Sequence, residues 1–297
     1  MINKFSETGW QQIWDASSLQ DYRRCPTYWW YRDSRRLRFA GGEQTLAADW
    51  GSAWHLGQEV FETSLWDKAT RKEALKHAIA AVSSQYGNYF EANPDTKRNL
   101  DTLIRALVWY EKKYRHDTLN MLGLPSGRPG IEVRFEIPIP RIPERWSGRI
   151  DKLVEYNGDY YIVDRKTTAK TMSSFYFRDF SPNIQFISYC WALQSFLGTK
   201  VRGLIVDAVQ TAVGFTRFGR HTYQFAPRQL SEFERNMRTS IIQARKEHKS
   251  GYMPFNESNC NAYRGCQYAR ICRECPEYRE TWIAEDYIVA PPRIKNA

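Results

Sequence analysis

The spacing of apolar residues changes once along the chain, near residue 130. Before it, apolar positions recur every three to four residues. Segments 47–66, 70–90 and 96–116 combine that spacing with helix-forming composition and predict three helices. Upstream, "DASSLQDYRRCP" holds Ser17 and Gln20 at capping-box spacing, which predicts a helix starting near Leu19. Pro26 interrupts or restarts it. "NMLGLPSGRPG" reads as a loop from its Gly and Pro. Then "IEVRFEIPI" (131–139) alternates apolar with charged, as a half-buried strand does, and further strands are expected at 147–156 and 159–167. Ser181-Pro182 introduces a helix over "NIQFISYCWALQSFL". Strands at 201–210 and 214–225 and a helix at 228–249 complete the reading. There is no internal repeat and no low-complexity linker. The expected class is α/β: a small mixed central sheet flanked by helices, with a helical N-terminal part and a cysteine-rich end.

The two strands at 147–167 carry charges that an ordinary core hairpin does not need. Asn157-Gly158 is the preferred pair for a two-residue type I′ turn. With that turn every cross-strand pair follows: Tyr156 with Asp159, Val154 with Tyr161, Leu153 with Ile162, and Asp151 with Asp164. Opposed carboxylates repel, so one must be protonated or a cation must lie between them. Lys166, two residues beyond Asp164, shares its face. The trio suits a hard divalent ion, Mg²⁺ or Mn²⁺, held by carboxylate oxygens. A lysine beside it could activate water or stabilise charge on a phosphorus centre. A one-residue change in the turn would undo the match.

Charge adds a partner class. The net charge is +10, with 43 Lys and Arg against 33 Asp and Glu, which favours a polyanion, nucleic acid first. The 11 Trp, 18 Tyr and 15 Phe fit base stacking but serve equally as a large aromatic core. No apolar run reaches the length of a membrane span, and the first ten residues lack the apolar core of a secretion signal. The expectation is a soluble cytoplasmic protein without a membrane partner, its last ten residues disordered.

Of six cysteines, Cys25, Cys190, Cys260, Cys266, Cys272 and Cys275, four crowd into residues 260–275. In an intracellular chain that suggests metal rather than disulfides. The spacing is wider than the pairs of zinc ribbons, so a zinc knuckle fits poorly. Cys190 lies in an apolar helix and reads as core.

Taken together, "GRIDKLVEYNGDYYIVDRKTT" resembles the core of the PD-(D/E)XK nucleases. Asp151 matches the first acidic position, and Asp164-Arg165-Lys166 the (D/E)-x-K element. "GSAWHLGQEV" resembles the RecB-like helix that supplies a histidine ligand, here His55. "QFISY" matches the Gln-x-x-x-Tyr motif with Gln185 and Tyr189. "SLQDYRRCP" and the terminal cysteines resemble the iron–sulfur RecB-like exonucleases, among them AddB-type, CRISPR-associated and phage proteins.

The resemblance implies a restriction-endonuclease-like core in a single nuclease domain over 1–297. That domain would divide into a helical part (17–125), the core (130–250) and an iron–sulfur region (251–280) packed on residue 25. His55, Asp151 and Asp164 would hold Mg²⁺ or Mn²⁺, Lys166 would serve the attacking water, and Gln185 and Tyr189 would position substrate or Lys166. Cys25, Cys260, Cys266 and Cys272 would hold a [4Fe–4S] cluster, with Cys275 spare or replacing Cys272. Arg23, Arg24 and Arg165 are candidates for holding the DNA backbone. Glu132 and Glu136 are read as solvated, one of them with a minor chance of reaching the metal; Glu59, one turn after His55 on the same helical face, is left open as a ligand. The activity implied is a metal-dependent deoxyribonuclease, an exonuclease on single-stranded or end-containing DNA, in a bacterial or phage-infected cell. No phosphate-binding helicase loop is present, so unwinding would need a helicase or recombination partner. Two other classes stay open: a DNA-binding protein that keeps the fold without cutting, and a zinc-stapled RNA-binding protein.

Overall fold

The computed structural model describes residues 10–40, 46–197, 201–261 and 265–291. The first nine residues, part of the argument on secretion, and residues 292–297 of the tail lie outside them.

In chain order, β1 (Ile13–Trp14) leads into α1 (Ala16–Arg24). The N-cap of α1 is Asp15, whose carboxylate accepts from the Ser18 amide at 2.8 Å while the Ser18 hydroxyl accepts from the Asp15 amide at 2.9 Å. The capping box is therefore Asp15/Ser18 and not Ser17/Gln20, because an aspartate two residues earlier with extended backbone satisfies the first-turn amides. Pro26 restarts the helix as the first residue of α2 (Pro26–Trp29), where its missing N–H costs nothing. A wider turn at Trp30–Ser34 leads to β2 (Leu37–Phe39). Next come α3 (Leu46–Trp66), α4 (Arg71–Ala92) and α5 (Leu100–Lys113), capped by Thr70 and Asn99 at the latter two.

The stretch 120–130 is not wholly loop. It holds β3 (Asn120–Met121), which pairs with Glu155 and Val154, and a bridge between Gly123 and Pro129. The sheet continues with β4 (Ile131–Pro138), β5 (Arg145–Tyr156) and β6 (Asp159–Thr168). A short α6 (Ser174–Arg178), not expected from the pattern, precedes α7 (Ile184–Leu197). Then follow β7 (Val201–Thr211), β8 (Thr216–Gln224), α8 (Pro227–Ser250), α9 (Ala269–Arg273), α10 (Arg279–Asp286) and β9 (Tyr287–Val289). The result is a mixed α/β fold whose principal sheet runs β1-β5-β6-β7-β8, with β3 and β4 also on β5.

Internal contacts divide the chain into two compact units. One comprises 1–43, 135–148 and 227–297, and the other 44–134 and 149–226. In the first, Trp14 stacks on Trp29 at 4.9 Å and Tyr22 meets Trp29 edge-on at 5.8 Å. The fully buried Glu144 carboxylate is held by Arg245 and by the Trp10 indole at 2.8 Å. Thr27 and Arg24 are tied to the C-terminal segment: the Thr27 hydroxyl donates to the Met253 carbonyl (2.7 Å), and the side chains of Asn256 and Asn259 donate to the Arg24 carbonyl. Residue 25 and residues 253–260 are thereby neighbours.

In the second unit, α3, α4 and α5 enclose a core of Trp50, Trp54, Phe61, Val82, Leu103 and Leu107, onto which Val209 of β7 packs. Gly57 allows the close approach, since a Cβ there would lie 2.9 Å from Leu107. β6 is central, antiparallel to β5 and parallel to β7. Asn157 and Gly158 have φ of +53° and +79°, as a type I′ turn requires. The observed pairs Tyr156–Asp159, Val154–Tyr161 and Leu153–Ile162 are those expected.

Candidate active site

His55, Asp151, Asp164, Lys166, Gln185 and Tyr189 all lie in the second unit, on four elements: α3, β5, β6 and α7. The β5–β6 ladder runs to Lys152–Val163. Beyond it the Arg165 amide donates to Asp151 Oδ2 at 2.7 Å, so the carboxylate caps the ladder and its orientation is set by backbone. From α3, His55 Nδ1 approaches to 3.6 Å from Asp151 Oδ2 and 3.8 Å from Glu132 Oε1. One ligand atom from each of His55, Glu132 and Asp151 falls within 4.8 Å of the others.

Glu132 is not solvated. It sits in β4 with φ +48°, a conformation rare for a side chain other than glycine, and that kink turns its carboxylate into the site. Arg149 Nε lies 2.9 Å from its Oε2. Burial alone would raise the Glu132 pKa; His55 and Arg149 outweigh it and hold the carboxyl below its usual value. Glu136, by contrast, is exposed and bonded to Arg145 in the first unit. Glu59 stays outside the three-donor group. Its carboxyl is raised, first by burial and then by Glu132.

Asp164 stands beside that group rather than in it. It is 2% exposed, and Lys166 Nζ lies 2.8 Å from its Oδ2. Burial raises its carboxyl to about 6, Lys166 opposes the rise and Asp151 adds to it. Behind Lys166 runs a short relay on α7. Lys166 Nζ donates to Gln185 Oε1 at 3.4 Å, and Gln185 Nε2 donates to the Tyr189 hydroxyl at 3.0 Å. Phe186 offers its ring to the same ammonium at 5.8 Å.

Under the site lies an ion cluster that the sequence reading missed. Glu62 receives Arg165 at 2.5 Å and Lys152 at 2.7 Å, all three side chains being nearly buried. Burial pushes the Glu62 carboxyl up, but Arg165 and Lys152 together bring it down to about 2. Arg165 is thus a buried brace, 2% exposed, and does not reach a DNA backbone. A signal existed: Glu62 follows His55 by seven residues, two helical turns on the same face. No pattern marked Glu132, because a kink in a strand leaves no periodic trace.

The donor set suits a divalent ion. His55 Nδ1 and Glu132 Oε1 are buried atoms without a hydrogen-bond partner among the described residues, which is costly unless something else satisfies them. One imidazole and two carboxylates favour Mg²⁺, Mn²⁺ or a similar ion over a soft one.

Five of the six cysteines belong to the first unit, and Cys190 to the second. Cys25, Cys260, Cys266 and Cys272 line one small enclosed cavity with Arg24 and Tyr28. They do not form a compact ligand set: among the described residues no three of their sulfurs come within 4.8 Å of one another. Burial raises the Cys272 thiol to about 11, with Cys266 and Cys25 adding to it. Cys275 is exposed, and Cys190 is buried in α7 as expected, its thiol pushed up to about 12. Arg23 donates to Ser240 at 3.1 Å, and Arg24 lies over the Tyr28 ring at 4.8 Å.

Comparison with known proteins gives one family and one fold. A model of the PD-(D/E)XK nuclease superfamily matches residues 14–273. A crystal structure described as that of a "putative exonuclease" from Eubacterium rectale is 14% identical, with 89% of each chain covered and a TM-score of 0.57. A second structure, named SSO0001, is 13% identical over 92% of each chain, but at a TM-score of 0.32 it carries no argument. No curated protein sequence matches.

Proposed function

Because the chain belongs to the PD-(D/E)XK nuclease superfamily, we propose that it is a metal-dependent deoxyribonuclease of the RecB-like branch, acting as an exonuclease on single-stranded or end-containing DNA. The observation that carries the reading is the convergence of His55, Glu132 and Asp151 within 4.8 Å, with the Asp164–Lys166 pair beside them.

In this reading His55, Glu132 and Asp151 hold Mg²⁺ or Mn²⁺, and Asp164 joins them from the neighbouring strand. Glu132 is the addition to the ligand set expected from sequence. The ion, when bound, supplies positive charge to the phosphodiester and makes a nearby water more acidic. Lys166 orients that water and offsets charge as the phosphorus centre becomes five-coordinate. Gln185 and Tyr189 keep the ammonium in place, and Glu62, through Arg165, holds the amide that orients Asp151.

The iron–sulfur cluster is the second part of the proposal, on Cys25, Cys260, Cys266 and Cys272. Its support is that the four thiols line one cavity and that four thiolates are what such a cluster takes. A helicase or recombination partner would supply unwinding. Among the described residues no helix is long and apolar enough to cross a membrane.

The test is digestion of end-labelled single- and double-stranded DNA with Mg²⁺ or Mn²⁺, ends free or blocked. Cleavage should require the metal, stop with EDTA and be absent in Lys166→Ala. Cleavage that persists in both controls would refute the site, and equal cutting of blocked ends would remove the exonuclease part.

A further inference from the structure

The second unit contains a depression that the cleavage site does not use. It lies along β8, at the end of the strand order, and has a volume of about 510 Å³. Trp109 and Lys113 of α5, Phe177 of α6, and Gln210, Arg217 and Phe218 of the sheet line it. No carboxylate is among its lining residues, while Lys113 and Arg217 bring positive charge.

Two details ask for a ligand. Trp109 is 41% exposed although it is the largest apolar side chain, and its ring is steadied by Arg105, 5.7 Å from the centroid. Arg105 is itself fixed by donating to the carbonyls of Ala212 (2.5 Å) and Val213 (2.8 Å). Gln210 is 4% exposed, yet its Oε1 has no hydrogen-bond partner among the described residues. A buried acceptor left unpaired is expensive, and a donor from outside would satisfy it.

The strand register links this depression to the candidate catalytic residues. Asp164 pairs with Val206 and Thr168 with Gln210 across the parallel β6–β7 ladder. Gln210 therefore shares the face of Asp164 and Lys166. It lies four residues farther along, about 13 Å at the usual strand rise.

We propose that this depression is a subsite for an unpaired nucleotide of single-stranded DNA, held a short distance from the scissile bond. Trp109 stacks on the base, Gln210 Oε1 accepts from an N–H on the base edge, and Lys113 and Arg217 neutralise the flanking phosphates. The substrate class rests on the nuclease reading above; the subsite itself rests on the aromatic, basic and unpaired groups.

The test is an abasic scan. A fluorescein-labelled 15-mer of thymidine, intact or with a single abasic position, is titrated against the metal-free Asp164→Asn protein by anisotropy. One abasic position should weaken binding roughly tenfold, the scale of losing a single stacked base. Adding Trp109→Ala or Gln210→Leu should weaken the intact oligonucleotide similarly and make that abasic position neutral, while Trp109→Phe restores the discrimination. The unaltered protein should hydrolyse bis(4-nitrophenyl) phosphate with Mn²⁺, a diester too small to span the two sites. If every abasic position affects parent and variants alike, the subsite is refuted. If the abasic effect is present but no protein hydrolyses the small diester, the nuclease reading fails and the subsite stands.

Discussion

At the scale of single residues, the candidate site depends on charges that burial would forbid without partners. Glu62 is the clearest case. Its carboxyl is depressed from 4.5 to about 2 by Arg165 and Lys152 against the cost of burial. A depressed acid stabilises the fold above its unfolded pKa, and that stability is lost as pH falls through the folded value. The window is therefore from about pH 4.5 down to about pH 2, and the shift corresponds to about 3 kcal/mol. Glu62→Gln should cost about that much near neutrality, because two buried cations lose their anion. Its stability should also fall less steeply with acid than the parent's across that window, as read by urea melts. Glu132 gives the second expectation. Glu132→Gln keeps size and position but removes a charged donor, so the Mn²⁺ concentration for half-maximal cleavage should rise roughly tenfold, about 1.4 kcal/mol. An unchanged metal requirement would take Glu132 out of the ligand set.

Elements place these residues, and the β5–β6 turn is the most exacting of them. Asn157 and Gly158 both have positive φ, so a side chain at 158 is strained by about 1–2 kcal/mol. Gly158→Ala should lower the melting temperature accordingly. The register beyond the turn carries Asp151 and Asp164, so a deletion of Gly158 should abolish cleavage even where a folded protein is recovered. The period of two made these strands readable, and the Asn-Gly pair made their register readable. The cap of α1 was misread by two residues because Asp15, Ser17 and Ser18 all have capping chemistry, and only the backbone turn decides which oxygen meets which amide. The short α6, with no buried residue of its own, carries no apolar stripe to announce it.

At the scale of the whole molecule, charge and the joining of distant segments matter most. With a net charge of +10, DNA binding should fall steeply with salt. For single strands the log–log slope should exceed about 2 in magnitude, the value for three phosphate contacts at about 0.7 each. A slope near zero would argue against a polyanionic partner. Cys25 lies 235 residues or more from the other cysteines in its cavity as far as sequence counts, yet its sulfur accepts from the Asn256 amide at 3.3 Å. Under the proposed cluster, Cys25→Ser should bleach the absorbance near about 400 nm and lower the melting temperature together, since ligand binding is coupled to folding. Full colour with unchanged melting would refute that assignment.

Local pattern by itself determined most of the elements and the hairpin register from Tyr156–Asp159 to Lys152–Val163, since those follow from side-chain periodicity and from turn chemistry two residues long; the expected Asp151–Asp164 pair lies just beyond that ladder. The motif order along the chain carries the resemblance. Tertiary structure alone decided which carboxylates surround His55: it brought in Glu132 through a kinked strand, set Asp164 against Lys166, and buried Arg165 on Glu62. Those choices depend on how a helix lies over a sheet edge and on which charges can be neutralised once water is excluded, and neither is written in the spacing of residues along one strand.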